Sequence, residues 1–175
     1  MEERTLGSTR VFTGHTISVR VDEVERPDGR RTTRDVVEHP GAVAILAWDG
    51  DGLAMVRQWR HATGQVLLEI PAGTLEPDEP PAATARRELA EEVGLAAATW
   101  VEGPRFYTAP GFCDELMHLF LAMDLSEVDA EGDEDEDLEP SLISLDDALA
   151  AIEDGRIVDG KTIAGIGWLA RRLGR

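Results

Sequence analysis

The sequence has 175 residues, of which 17 are lysine or arginine and 35 are aspartate or glutamate, so the net charge is −18. Such a balance repels nucleic acid and anionic membrane surfaces and excludes both as partners. Cys113 is the only cysteine, so no intrachain disulfide can form and a reducing cytoplasm is the expected setting.

The chain opens with MEERTLGSTR, which has no apolar signal-peptide core. Over residues 10–40, Val11, Ile17, Val19, Val21 and Val24 recur at strand spacing, Pro27-Asp28-Gly29 is a turn, and Arg30 to Glu38 returns as the other arm of a hairpin. An antiparallel unit this small is marginal alone, so it is expected to lean on the main domain or on a second subunit. Residues 1–40 are therefore read as an N-terminal β-strand subdomain, and residues 41–175 as the main domain.

From Gly41 the pattern changes. AVAILAW (42–48) is the longest apolar run, too short to span a membrane and suited to a buried central strand. Asp49–Gly52 is a turn, Leu53–Trp59 the next strand, and Gln65–Ile70 a further strand that leads into Pro71-Ala72-Gly73. Beyond a helix considered below, strands at Trp100–Tyr107 and Glu115–Met123 flank the loop Thr108–Asp114, and Leu142–Ser144 is a last short strand. Ser144, with Asp147 three residues on, starts a helix that stops at Gly155. Asp159 or Thr162 starts a terminal helix with an apolar face of Ile163, Ile166, Leu169, Ala170 and Leu173, and its glycines at 165 and 167 either weaken it or permit close packing. Strands before and after one helix, followed by closing helices, predict an α/β fold with a mixed sheet between helical layers.

The chemistry is concentrated in Gly73 to Leu95, GTLEPDEPPAATARRELAEEVGL. Asp78 and Glu79 put negative charge at the helix start, Pro80 and Pro81 suit the first turn, and Gly94 suits the left-handed residue that ends it. At about 100° per residue, Ala85, Leu89 and Val93 form a core-facing stripe. Glu88, Glu91 and Glu92 project together beside it. Like charges one turn apart cost an isolated helix roughly 0.2–0.5 kcal/mol per pair, which Arg87 offsets in part by pairing with Glu91. The remaining charge is either a solvated acidic face or a site for Mg²⁺, which takes one or two carboxylates and completes its shell with water and substrate phosphate.

The wider spacing decides between these. Gly73, Glu79, Arg87-Glu88-Leu89, Glu91-Glu92 and Gly94-Leu95 fill all nine specified positions of a 23-residue pattern that resembles the Nudix box. That box is a loop–helix–loop motif of hydrolases cleaving a nucleoside diphosphate linked to another group, and the resemblance implies an α/β/α sandwich, here with an N-terminal antiparallel β subdomain. The flanks RDVVEHPGAVAIL (34–46), VRQWR (56–60), LLEIPAG (67–73), YTAPGFCDE (107–115) and KTIAG (161–165) resemble the ADP-ribose pyrophosphatase branch from about residue 10 to the end.

That resemblance implies the following roles. The carbonyl of Ala72, just before Gly73, binds metal, as do Glu88 and Glu92, while Glu91 completes a second metal position or holds a water. Glu79 and Arg87 fix the loop and helix by ion pairs. The metal is Mg²⁺, or Mn²⁺. Water attacks one phosphorus of ADP-ribose to release AMP and ribose 5-phosphate, and a general base comes from the acidic run 127–139, Glu134 first and Glu136 second, with Glu115 competing. Arg34 and Arg60 are the phosphate or ribose partners, Pro110 marks the substrate loop, and Phe112, Tyr107 or Trp59 are placed to stack on adenine, with core packing expected for Trp59. In this branch the N-terminal strands are exchanged across a two-fold homodimer, which would carry Arg34 to the neighbouring subunit's site. His15, His39, His61 and His118 do not cluster at zinc-ligand spacing. Cys113 has no activating partner and is read as a loop residue. The alternatives are a GDP- or UDP-sugar diphosphatase, and a non-catalytic ADP-ribose sensor, which the intact box disfavours.

Overall fold

A computed structural model describes residues 1–130 and 138–175. The chain divides into two compact units, residues 1–41 with 106–116, and residues 42–105 with 117–175.

In the first unit, β1 (Arg4–Thr13), β2 (Ser18–Glu25) and β3 (Arg31–Glu38) form an antiparallel sheet in that order. The Pro27-Asp28-Gly29 turn closes the β2–β3 hairpin. Arg26 and Arg30 pair across it, and Gly29 takes φ 80°, a conformation that a Cβ would strain. The start of β1 is not legible in the sequence, because RTLGSTR (4–10) has no apolar alternation, and only its end, at Val11, falls in the stretch read as strands. It is held by its register against β2 and by charges: Arg10 and Arg20 both donate to Glu38, at 2.5 and 2.7 Å, and Arg20 also grips the buried Asp22. The 106–116 loop belongs to this unit through Val37, whose N–H donates to the Phe112 carbonyl (2.7 Å) and whose carbonyl accepts from Asp114 (3.1 Å).

The second unit is built on β4 (Ala42–Trp48), whose residues 42–47 are all buried. Around it lie β5 (Gly52–Arg60), β6 (Gln65–Glu69), β7 (Ala72–Thr74), β8 (Leu95–Tyr107), β9 (Leu116–Glu127) and β10 (Leu138–Ser144). The sheet order is β10-β5-β4-β9-β8, with β6 on β5 and β7 on β4. The β4–β9 pair is parallel and β4–β5, β4–β7 and β5–β10 are antiparallel, so the sheet is mixed, as the alternation of strands and helices predicted.

The two-residue period of β4 sorts the layers. Val43, Ile45 and Ala47 pack with Ala85 and Leu89 of α1 (Pro81–Val93), while Leu46 on the opposite face meets α3 (Gly160–Arg172) at Gly165. A Cβ at Gly165 would come within 3.0 Å of Ile70 Cδ1 and 3.4 Å of Leu46 and Leu119, so that glycine exists for close packing, whereas Gly167 faces open space. The buried stripe of α3 is Thr162, Gly165, Ile166, Leu169 and Ala170. Ile163 and Leu173, expected on that stripe, are exposed because a small polar residue and a glycine occupy the tightest contacts instead. Between them, α2 (Leu145–Glu153) is capped as expected: Ser144 Oγ accepts from Asp147 N (3.1 Å) and donates to its carboxylate (2.7 Å). Among the described residues, no helix is long and apolar enough to cross a membrane.

Candidate active site

The site is assembled where β7 passes the flank of α1. Pro80 caps the helix and Pro81 is its first residue, while Gly94 ends it in the left-handed region (φ 65°), its N–H donating to the carbonyls of Ala90 and Leu89. Asp78 and Glu79 fall just ahead of the first turn, and Asp78 itself takes φ 64° to reverse the chain into the helix.

Arg87 organises the acidic side of α1. Its guanidinium meets Glu91 at 2.9 Å, Glu88 at 2.8 Å and Glu79 at 3.1 Å. Thr84, fully buried, donates its hydroxyl to the same Glu79 carboxylate at 2.9 Å, so the incoming loop is pinned to the helix at two points. The pairing with Arg87 holds the Glu79 carboxyl below the usual carboxylate range, and Glu79, ahead of Glu91, raises the Arg87 pKa in turn.

Glu88 and Glu92 are buried, at 9% and 6% exposure, which is costly for carboxylates without compensation. Glu92 Oε2 accepts from the backbone N–H of Ala72 at 3.0 Å, tying β7 to the last turn of α1. The Glu88 carboxylate lies against Gly73, where any Cβ would overlap it. The glycine is thus required by space and not by backbone angle. Two buried carboxylates, a half-exposed third and a backbone turn held against them form an oxygen-rich cradle that suits a hard divalent cation. Among the described residues, no three histidine, cysteine, aspartate or glutamate side chains already converge as a ligand set. Glu88 and Glu91 face Arg87, and Glu92 faces Ala72.

Arg60, at the end of β5, donates from Nε and Nη2 to both oxygens of Glu69, at 2.8 and 2.7 Å. Glu69 is buried at 1% exposure and also takes the ammonium of Lys161. Glu69 comes first among the groups that raise the Arg60 pKa, and the negative charges of Asp159 and Glu92 add to it, so this guanidinium lies within the field of the box carboxylates. Trp59, expected in the core, is 55% exposed beside the equally exposed Val66, because β5 turns this side chain to the outer face of the β5–β6 pair.

The remaining sequence-derived candidates lie in the first unit. Arg34 on β3 is engaged by Glu3 at 2.6 and 3.1 Å. Phe112 is 59% exposed in the turn after Pro110, whose geometry is set by the N–H groups of Phe112 and Cys113 donating to the Ala109 carbonyl. Glu115 is held by the Thr108 hydroxyl at 2.5 Å and stands 3.7 Å from His39 Nε2. The structure therefore brings Ala72, Gly73, Glu79, Arg87, Glu88, Glu91 and Glu92 together. Glu134 and Glu136 lie outside the described residues. Glu69, Thr84 and Lys161 were missed. The signal for Glu69 was a lone charge within Val66-Leu67-Leu68-Glu69-Ile70, which is too apolar a setting for an unpaired carboxylate.

Residues 38–165 match the model of the NUDIX domain, and residues 3–37 match that of the nucleoside diphosphate sugar hydrolase N-terminal domain. The chain is 44% identical over 172 residues to a Bacillus subtilis (strain 168) ADP-ribose pyrophosphatase, covering 97% of this chain and 93% of the relative. It is 41% identical over 171 residues to a Bacillus methanolicus methanol dehydrogenase activator, covering 96% and 92%. A solved structure titled as an ADP compounds hydrolase superposes with a TM-score of 0.89 at 24% identity, covering 99% of this chain and 95% of that one, so the two share a fold.

Proposed function

The chain belongs to the Nudix hydrolase family, and on that premise we propose that it cleaves the diphosphate of ADP-ribose, by attack of water on phosphorus, to give AMP and ribose 5-phosphate. The observation that carries this reading is its near full-length likeness to an ADP-ribose pyrophosphatase, joined to an unbroken set of box residues.

The ion that the cradle would hold is Mg²⁺, or Mn²⁺, with the Ala72 carbonyl, Glu88 and Glu92 as ligands and Glu91 completing a second position. A divalent cation bound there would supply polarisation of the attacking water and charge neutralisation at the phosphoryl oxygens. The chain's own residues do the positioning on which such a reaction depends. Arg87 and Glu79 hold the loop and helix in register, and Gly73 leaves room for the Glu88 carboxylate. Arg60 and Arg34 offer guanidinium donors to phosphate or ribose, and Pro110 and Phe112 form the substrate loop. The general base is Glu134 or Glu136, with Glu115 as the competing group. The exposed Val11, Phe12 and Ile17 of the N-terminal unit support a homodimer, and the lone cysteine and the acidic surface support a cytoplasmic setting.

The test is a parallel turnover assay with Mg²⁺ on ADP-ribose, GDP-mannose, UDP-glucose and a nucleoside triphosphate, with Glu92→Gln as control. AMP release from ADP-ribose alone, abolished in the variant, is expected. Preferred cleavage of another sugar nucleotide would keep the chemistry and overturn the substrate. Tight ADP-ribose binding without turnover would make the protein a sensor. Light scattering checks the dimer.

A further inference from the structure

The first turn of α3 reaches the strand segment that enters the site, although it is 92 residues away along the chain. Asp159 caps the helix by accepting from Thr162 N (2.9 Å) and Thr162 Oγ1 (2.6 Å). Lys161, with a side chain only 10% exposed, donates to Asp159 (3.1 Å) and to the buried Glu69. Thr162 Oγ1, fully buried, accepts the backbone N–H of Ile70 at 3.0 Å. Two consecutive residues of α3 therefore hold two consecutive residues of the strand, one through its side chain and one through its backbone. Two residues further on, Ala72 N–H meets Glu92. The intervening Pro71 is fixed as well, its carbonyl accepting from Ile45 N at 2.8 Å.

We propose that Lys161 and Thr162 are positioning residues for the metal site, acting as a clamp that sets where the 70–73 segment stands against α1. The inference rests on the reading of Ala72 and Glu92 as metal-site residues. A purely structural role would be met by apolar packing, which commonly matches a buried ion pair in stability. An ion pair to one side chain and a hydrogen bond to the next residue's backbone define the height and rotation of the segment. Carbonyl and carboxylate ligands need that definition, because partners outside the ligand shell typically alter metal affinity when lost.

The experiment measures Mn²⁺ binding to the full chain without nucleotide, through the EPR signal of the free ion. The proteins are wild type, Lys161→Met, Lys161→Arg and Thr162→Val, followed by kcat at saturating metal. Lys161→Met and Thr162→Val should each bind Mn²⁺ about 10–100-fold more weakly. Their kcat at saturating metal should stay near wild type, and Lys161→Arg should restore most of the affinity. Wild-type Mn²⁺ affinity in both weakened variants, with Mn²⁺ bound normally by the parent, would overturn the clamp and leave the site reading intact. Failure of the parent to bind Mn²⁺ would overturn the site reading and the clamp with it. If Lys161→Met does not fold, Thr162→Val decides, because it keeps side-chain shape while deleting the acceptor of the Ile70 N–H.

Discussion

The backbone amide of Ala72 and the carboxylate of Glu92 are joined by a 3.0 Å hydrogen bond. One oxygen of a buried acid thereby holds β7 against the last turn of α1. Glutamine at this position can still accept from Ala72, so Glu92→Gln should keep the fold within about 1 kcal/mol of wild type in chemical denaturation. Activity should nevertheless fall by two orders of magnitude or more, on the order of 3 kcal/mol of transition-state stabilisation. A loss of stability as large as the loss of activity would show that Glu92 is a structural acid.

Gly73→Ala tests the same cradle from the strand side. The new methyl must displace the Glu88 carboxylate, which is buried but sits at the end of a flexible side chain. Overpacking of this kind costs about 1–3 kcal/mol. Metal affinity should drop further than a change in thermal midpoint alone would suggest, and calorimetric titration with Mg²⁺ would measure it.

Arg87 meets three carboxylates through one planar fork, a geometry that lysine cannot copy. Arg87→Lys should lose roughly 1–2 kcal/mol and Arg87→Met roughly 1–3 kcal/mol, since each leaves charged acceptors underused in a partly buried setting. Equal stability of all three proteins would assign the cluster to ordinary surface pairing.

Much of this was legible in advance. The box carboxylates Glu88, Glu91 and Glu92 lie within five residues on one helix, so their spacing alone predicts that they project together. AVAILAW was legible because a run buried on both faces has no polar positions. Lys161 and Glu69 were not, because their pairing depends on how α3 crosses the sheet, which no local pattern encodes. Trp59 was misplaced for a related reason: an aromatic residue in a strand looks the same on either face until its register with β6 is known. The polar first half of β1 was not legible because its pairing is made by backbone and charge; only Val11, near its end, keeps strand spacing.

His118 on β9 is pushed down from its ordinary value, first by burial and then by the positive charge of Arg105. The folded protein therefore prefers it neutral. Below about pH 6.5 the unfolded chain binds this proton more readily, so stability should fall as pH drops through that value until the folded-state pKa is passed. His118→Gln should flatten that limb in denaturation midpoints taken between pH 5 and pH 7, and an unchanged slope would assign it to other groups.

The two α3 glycines should respond in opposite directions. Gly167→Ala, into open space on a helix, should stabilise by about 0.5–1 kcal/mol. Gly165→Ala, against Ile70, Leu46 and Leu119, should destabilise by about 1–3 kcal/mol. Thermal melts of the two variants would separate packing from propensity.

The placement of Glu69 has a consequence for how the molecule comes into being. This carboxylate's first partner, Arg60, lies nine residues away, but its second, Lys161, is encoded 92 residues later. Arg60 balances its charge, but the contacts that Lys161 and Thr162 make to Glu69 and Ile70 stay unmade, so the β6 end of the sheet is completed only when nearly the whole chain has been synthesised. Closure over so long a loop is slow. A ribosome stalled before α3 should therefore hold a chain whose box helix can already form while the segment beside it still lacks its last two anchors.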